Sequence, residues 1–465
     1  MKNTVNIFFL VILLVSCSRD SPGTSTGTPI GGGGTGSGEP PATVYTDSQI
    51  LDMTQKQSLK YFWDYAESNS KLARERYHTD NPSLDANVVT TGGSGFGLMT
   101  ILVGIKTGDV ARTEAVSRLT TSLNFLQNAN RFHGAWSHWI DGNTGNVIPF
   151  GALDNGGDLV ETAFLAQGLI CVREYFKNSA VPEEIALSQK ADLLWKGVEW
   201  NWYTQGQNVL YWHWSPNYNF QINQQLRGFD ETLMTYILAA SSPDFSIEKI
   251  AYDQGWARNG AIKTASSLFG IPLVVNHNGA TGTVGPMFWS HYSFLGLDPR
   301  GLTDGYVNYG DVTTNHAKIM YQYCVNNPKG WNGYSSKNWG LTASYSRNSD
   351  GSTGYSAHQP NNDLGIISPT AAISSIPYTP NESMNELRFL YNENYAKYIG
   401  VAGPYDAYST HYNWVTPRYL AIDQGTISPM IENYKNAFLW NLFMNAPDVR
   451  NGLLKLGFHS TQYGF

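Results

Sequence analysis

Charge is scarce in this 465-residue chain: Asp, Glu, Lys and Arg make up 14% of it, against about 25% in ordinary soluble domains. The formal net charge is −7 and no Lys/Arg cluster stands out, which excludes the electrostatic footprint of a nucleic-acid binder. There are three cysteines, too few for a disulfide scaffold and none paired at zinc spacing. No apolar run reaches the ~20 residues that a membrane-spanning helix needs. His-Glu-x-x-His, the phosphate-binding P-loop and Gly-x-Ser-x-Gly are all missing, which excludes the chemistries those motifs carry. The Gly-rich "TTGGSGFGLM" lacks the Lys-Ser/Thr of a nucleotide loop and reads as a helix start with close backbone packing. No metal and no cofactor is expected.

Aromatic residues, in contrast, are abundant: 13% of the chain, with 14 Trp and 28 Tyr. Flat rings with polar tips suit a neutral, hydroxyl-rich ligand, because sugar C–H faces stack on them. The N-terminus, "MKNTVNIFFLVILLVSC", is a Lys followed by a short apolar run, the pattern of an export signal. Its Leu-Val-Ser-Cys ending matches a bacterial lipobox with Cys17 as the acylated residue. Residues 18–46 are rich in Gly, Ser, Thr and Pro and form a flexible tether. The expected organisation is a signal peptide over 1–17, the tether over 18–46 and one domain over 47–465. Cys171 and Cys324 either pair or remain buried free thiols.

From Asp47 onward, helical patterns recur. "DSQILDMTQKQSLKYFWDYAE" reads as a helix capped by Asp47, "GFGLMTILVGIKTG" as one ending at Gly108, and "DLVETAFLAQGLICVREYF" as one opening at Asp158. Ser368-Pro369, Thr379-Pro380 and Ser428-Pro429 each place a capping residue before a proline at the first helical position. Thr379 and Glu382 have the spacing of a capping box. "NVLYWHW" is the best strand and suggests a hairpin. About a dozen helices joined by long aromatic loops predict an all-α toroid with minor β-hairpins. In such a ring, loops at one end build the site.

Carboxylates beside aromatics are the chemistry that remains. Asp158 and Glu161 share one helix face, and the pair also fits a helix cap with a capping box. The loop before them carries His138, Trp139 and Asp141, more ring and polar surface than a cap needs. A second segment brings Trp212, His213, Trp214 and Arg227 to the pair Asp230-Glu231; Asp230 is expected to cap the next helix and Glu231 to stand in its first turn. In a third, Asp423 is expected in a loop before a helix capped at Ser428, with Glu432 one turn inside. Acid-bearing segments of this kind fit glycoside hydrolysis, which needs one carboxylic acid and one carboxylate.

"KLARERY", "GGSGFGLMTILVGI", "RFHGAWSHWIDGNTG", "DNGGDLVETAFLAQGL", "VLYWHWSPNY", "RGFDETLMTYILAASSP" and "AIDQGTISPMIENYKNAFLWNLFM" together resemble the bacterial glycoamylase-like domain of glycoside hydrolase family 144, the β-1,2-glucanases. The resemblance runs from about Asp47 to the C-terminus. It implies an (α/α)6 toroid that hydrolyses β-1,2-glucan with inversion, either within chains or by releasing sophorose from their ends. It implies Asp158, Glu161, Glu231 and Asp423 as the working carboxylates. Trp139, His138, Asp141, Trp212, His213, Trp214, Arg227, Tyr378 and Glu432 are the candidate substrate contacts. The chain departs from the family at Phe229-Asp230, where Trp-Asn is expected. The implied molecule is a monomeric exported lipoprotein. It would be anchored by lipid alone in the outer membrane, facing periplasm or cell surface, with a β-glucan as its partner and no nucleic acid. Two other classes fit the composition: a surface glycan-binding lipoprotein without activity, and a polysaccharide lyase on the same toroid.

Overall fold

Two kinds of helix alternate along the chain, and their burial patterns separate them. Helix α2 (Thr91–Thr107) is apolar almost all round and buried from Thr91 to Gly104. Helix α4 (Leu159–Phe176) buries nearly every residue it has. A helix apolar on every side must be surrounded by protein. The partner class is amphipathic: α1 (Asp47–Trp63), α3 (Arg112–Asn128) and α5 (Pro182–Lys196) each bury one stripe, as α3 does with Ala115, Val116, Leu119, Leu123 and Leu126. The remaining helices are α6 (Leu233–Ser241), α7 (Lys249–Gln254), α8 (Tyr309–Asn326), α9 (Pro369–Ile373), α10 (Pro380–Arg388), α11 (Tyr395–Tyr398), α12 (Ala421–Asn436), α13 (Phe438–Met444) and α14 (Pro447–Leu456). This computed structural model describes residues 44–465; the expected signal, Cys17 and most of the tether lie outside the described residues.

The all-round-buried elements form an inner ring. Helix α12 packs on α2, α2 on α4, α4 on α6 and α12 on α9. The ring closes through the segment from Met287 to Leu297, a short 3-10 turn rather than a full helix. Ser293 donates to the Glu231 carbonyl beside α6 at 2.6 Å, and on the other side Tyr378, just after α9, donates to the Ser290 carbonyl at 2.8 Å. Irregular backbone in a core needs partners, and inner helices supply them. Gln167 of α4 donates to the Tyr292 carbonyl and Asn433 of α12 to the Leu295 carbonyl. Outer elements cover the ring, and the result is an (α/α)6 toroid.

Glycine sets the tightest joint. A Cβ on Gly95 of α2 would stand 2.2 Å from the Phe164 carbonyl of α4, so the Gly-rich start of α2 is a packing device.

Several local expectations are corrected. Thr46, not Asp47, caps α1, in a capping box with Gln49. Thr379 makes no side-chain cap bond, so no capping box forms with Glu382. Helix α12 starts at Ala421 and runs through Pro429, so Ser428 caps nothing. An interior proline removes one helix bond. Ser58 donates to the Gln424 carbonyl and Thr370 to that of Asp423, which ties the first turn of α12 to its neighbours. His213–Trp214 is a strand, but it pairs with Gly157–Asp158 instead of forming a hairpin. Cys171 and Cys324 are both buried free thiols.

Candidate active site

The N-terminal ends of the inner helices meet at one mouth of the ring. The Gly92 amide of α2 donates to Glu161 Oε2 of α4 at 2.7 Å, and Thr370 of α9 bonds Thr426 of α12 at 2.9 Å. Exposed N–H groups at helix starts favour carboxylates there. A ladder of loop backbone holds the mouth in register: the Asp158 amide donates to the Trp136 carbonyl, and the Leu159 amide to the Trp212 carbonyl.

Asp158 is fully committed. The amides of Val160 and Glu161 donate to its Oδ1 at 3.0 and 2.9 Å, so it does cap α4. His138 Nδ1 lies 2.9 Å from its Oδ2, and His213 Nε2 stands 3.5 Å from the same oxygen and 3.3 Å from Asp154 Oδ2. Burial alone would raise its proton affinity, but the bonds from His138 and His213 hold the carboxyl well below the usual range. The imidazoles respond in kind. Burial works against their charge, yet Glu161 and Asp158 lift His138 to about 9, and Asp154 and Asp158 lift His213 to about 9. The group is an ion-pair network with two imidazolium ions. His138, Asp154 and Asp158 each bring one ligand atom within 4.8 Å of the others. His138 and Asp158 already bond each other with those atoms, so the donor set is spent on the network.

Glu161 does not complete a capping box. It reaches across to α2, where Gly92 leaves room for it: a Cβ on Gly92 would stand 2.7 Å from Glu161 Oε2. Burial, together with the charge of Asp158, raises its proton affinity against the pull of His138.

Glu231 and Asp423 differ from these two. Among the described residues no other side chain hydrogen-bonds the Glu231 carboxyl, which is partly exposed in the crowded mouth. Burial first, then Asp230, Glu161 and Asp158, push its proton affinity well up. Asp230 is not the cap. It accepts from the Thr232 amide and hydroxyl, while α6 starts at Leu233, so Glu231 stands just before the helix and not in its first turn. Asp423 lies in the first turn of α12, 1% exposed. Burial and the neighbouring Asp406 carboxyl keep it raised. Helices α6 and α12 are separated by two ring members on either side, so Glu231 and Asp423 come from opposite walls of the ring.

Other expected contacts divide. Trp139, Trp212 and Trp214 are all partly exposed. Trp139 packs edge-on against Phe150, which stacks on His138, and Trp214 packs edge-on against His133. Four residues are not brought to the carboxylates. Asp141 is bound into its own turn, accepting from the amides of Asn143 and Thr144 and from Asn87. Arg227 donates to the Gln254 carbonyl and to Gln225 on the exposed surface. Tyr378 follows the C-terminal end of α9, at the opposite face of the ring. Glu432 lies nine residues beyond Asp423 on α12 and is held by Lys106, Gln55 and Asn436. Periodicity places a residue on a helix but not at an end of the ring. A separate shallow depression of about 390 Å³ lies on α1 and α3, by Trp63 and Arg118, and contains none of these carboxylates.

A family model described as "Putative glucoamylase" matches residues 223–447. An endo-β-1,2-glucanase from Chitinophaga pinensis, solved with sophorotriose and glucose, is 51% identical over 90% of this chain and 99% of that one, with a TM-score of 0.87. The chain belongs to glycoside hydrolase family 144, the β-1,2-glucanases. A second member, the exo β-1,2-glucooligosaccharide sophorohydrolase (non-reducing end) of Parabacteroides distasonis, is 42% identical over 89% of this chain, which spans 59% of that protein's length. The endo-β-1,2-glucanase of Talaromyces funiculosus, at 12% identity and a TM-score of 0.61 over 88% of this chain and 92% of its own, shares the fold.

Within this family 144 chain, the sequence reading overlooked four residues at the mouth. Asp154 holds His213 from the loop before α4. Asp406 sits beside Asp423. Tyr292, buried in the central segment, and Tyr355, 61% exposed on the hairpin Ala343–Ala357, both feel the charges of Asp423 and Glu231. Only Asp154 carried a signal, as the acid that opens the Asp/Asn/Gly run before α4.

Proposed function

We propose that this chain hydrolyses β-1,2-glucan with inversion, with Glu231 as general acid and Asp423 as the base side. The observation that carries the assignment is commitment. Asp158 accepts three hydrogen bonds and also meets His213, and Glu161 is bonded to Gly92, whereas Glu231 accepts from no other side chain and Asp423 meets only the Asp406 carboxyl, at opposite inner walls of the ring. An acid must hold its proton until the leaving oxygen takes it, and the burial and like charges around Glu231 support that state. A water on the opposite sugar face then loses its proton towards Asp423 as it attacks C1. Inverting pairs need room for that water, about 6.5–9.5 Å between carboxyls, and opposite ring walls suit this better than two groups on one helix turn. Asp158, with His138 and His213, organises the mouth, and Trp139, Trp212 and Trp214 offer ring faces to the sugar. The substrate comes from the named activities of the family members.

Lipid anchoring through Cys17 is part of the same proposal and rests on the lipobox and tether of the sequence. Linear β-1,2-glucan is the test substrate. Release of reducing ends, with the first product carrying the α anomer by proton NMR, is the expected result. No release overturns the activity, and a β anomer overturns inversion. A time course showing sophorose alone from the start assigns exo action, and mixed lengths assign endo action.

A further inference from the structure

Asp406 lies between the short strands Gly403–Pro404 and Tyr408–Ser409 and is 3% exposed; Asp423 is 1% exposed. Their carboxyls are neighbours, and the charge of Asp406 raises the proton affinity of Asp423. Asp406 Oδ2 accepts from the Tyr345 amide at 2.7 Å. Asp406 Oδ1 and both Asp423 oxygens have no N–H or O–H donor from any described residue. Buried carboxylate oxygens without donors are expensive, and two ionised carboxylates in contact are more so. One proton between the two removes both difficulties at once, because it turns an acceptor–acceptor contact into an O–H···O bond. Among the described residues no Lys, Arg or His forms an ion pair with either carboxyl. Glu75 faces the pair from the strand Arg76–His78 side and adds negative charge. Tyr345 and Tyr355 face it from the hairpin, Tyr292 from the central segment, and Glu231 from across the mouth. Arg76 is engaged with Glu75 and Arg418 Nη2 with Asp80, while the buried Arg418 Nε has no partner; His78 bonds the Tyr345 hydroxyl at 2.6 Å.

We infer that Asp406 and Asp423 hold a single proton between them and that Asp406 is a positioning residue for the Asp423 carboxylate. This rests on the reading of Asp423 as the base side. The pair carries one negative charge instead of two. The bond to Asp406, itself fixed by the Tyr345 amide, sets the direction of the remaining Asp423 oxygen. When the attacking water gives up its proton, the pair takes it and becomes doubly protonated and neutral. Passage of that proton through solvent to Glu231, which gave its own to the leaving oxygen, returns both sites to their starting states, so charge balances without a cofactor.

The test is an infrared spectrum of enzyme labelled with carboxyl-13C aspartate at mildly alkaline pH, where isolated aspartates are ionised, alongside kinetics on β-1,2-glucan. The parent should show a protonated aspartate band that is absent from both Asp406→Asn and Asp423→Asn. The carboxamide oxygen in Asp406→Asn can still accept from the Tyr345 amide, so the hairpin keeps its bond. The kcat of this variant should nevertheless fall on the order of 10–100-fold with little change in KM. A parent spectrum without the band, or a band that persists in both variants, overturns the shared proton. Parental kcat in Asp406→Asn overturns the positioning role. If the parent releases no sugar from β-1,2-glucan, the functional reading fails, while the spectrum still decides the proton.

Discussion

Asp158→Asn separates the capping duty of Asp158 from its charge. Asn is as good an N-cap as Asp, and its Oδ1 can still accept from the Val160 and Glu161 amides. Its other atom becomes an amide donor facing the N–H groups of His138 and His213. Each imidazole rises from 6.5 to about 9 in the native protein, and their side chains are only 21% and 13% exposed. At about 1.36 kcal/mol per pH unit, each rise corresponds to roughly 3 kcal/mol. Both draw on the same carboxylate, so the two do not add. Asp154 also remains with His213, and Glu161, the largest charge raising His138, remains beside it. The expected loss is therefore about 3 kcal/mol at most. A histidine whose folded pKa is raised adds stability that is complete below its unfolded value and disappears as pH rises through the folded value. The Asp158→Asn penalty should thus be full just below pH 6.5 and fade as pH passes through about 9. Urea unfolding of parent and variant at both ends of that window measures it. An equal penalty at both ends would refute the charge argument and assign the effect to the cap or to packing.

Glu231→Gln should lose about 10²–10⁴-fold in turnover with an unchanged unfolding midpoint. A glucoside with a good leaving group, assayed by release of that group, should restore much of the rate in Glu231→Gln and little in Asp423→Asn; the reverse pattern would exchange their roles. Truncating Trp139, Trp212 and Trp214 one at a time to Ala should weaken oligosaccharide binding for at least one by about 0.5–1.5 kcal/mol beyond lost area, measured by calorimetry on an inactive Glu231→Gln background. Cys17→Ala should move the expressed protein from the membrane pellet to the soluble fraction; equal pelleting of both forms would remove the anchor from the proposal.

The sequence by itself determined which helices exist and which are central. Helix α4 is apolar on all sides and α3 on one, and that difference alone assigns inner and outer rings. It also placed the acids near helix starts, while the capping expected of Asp47, Thr379, Ser428 and Asp230 does not form, because which side chain turns back on the helix depends on neighbours beyond the local run. Long motifs carried the family. Tertiary structure alone decided which acids are free. The bond from Gly92 to Glu161 joins residues 69 apart, and the pairing of His138 and His213 on Asp158 depends on three loops meeting at one ladder. It decided that α12 starts at Ala421 and passes through Pro429, so that Ser428 caps nothing. It removed Glu432 and Tyr378 from the mouth, since a helix period fixes the face of a residue but not the end of the ring it reaches. It brought Asp406 to Asp423 across a loop and a strand, a contact that no spacing in the chain announces.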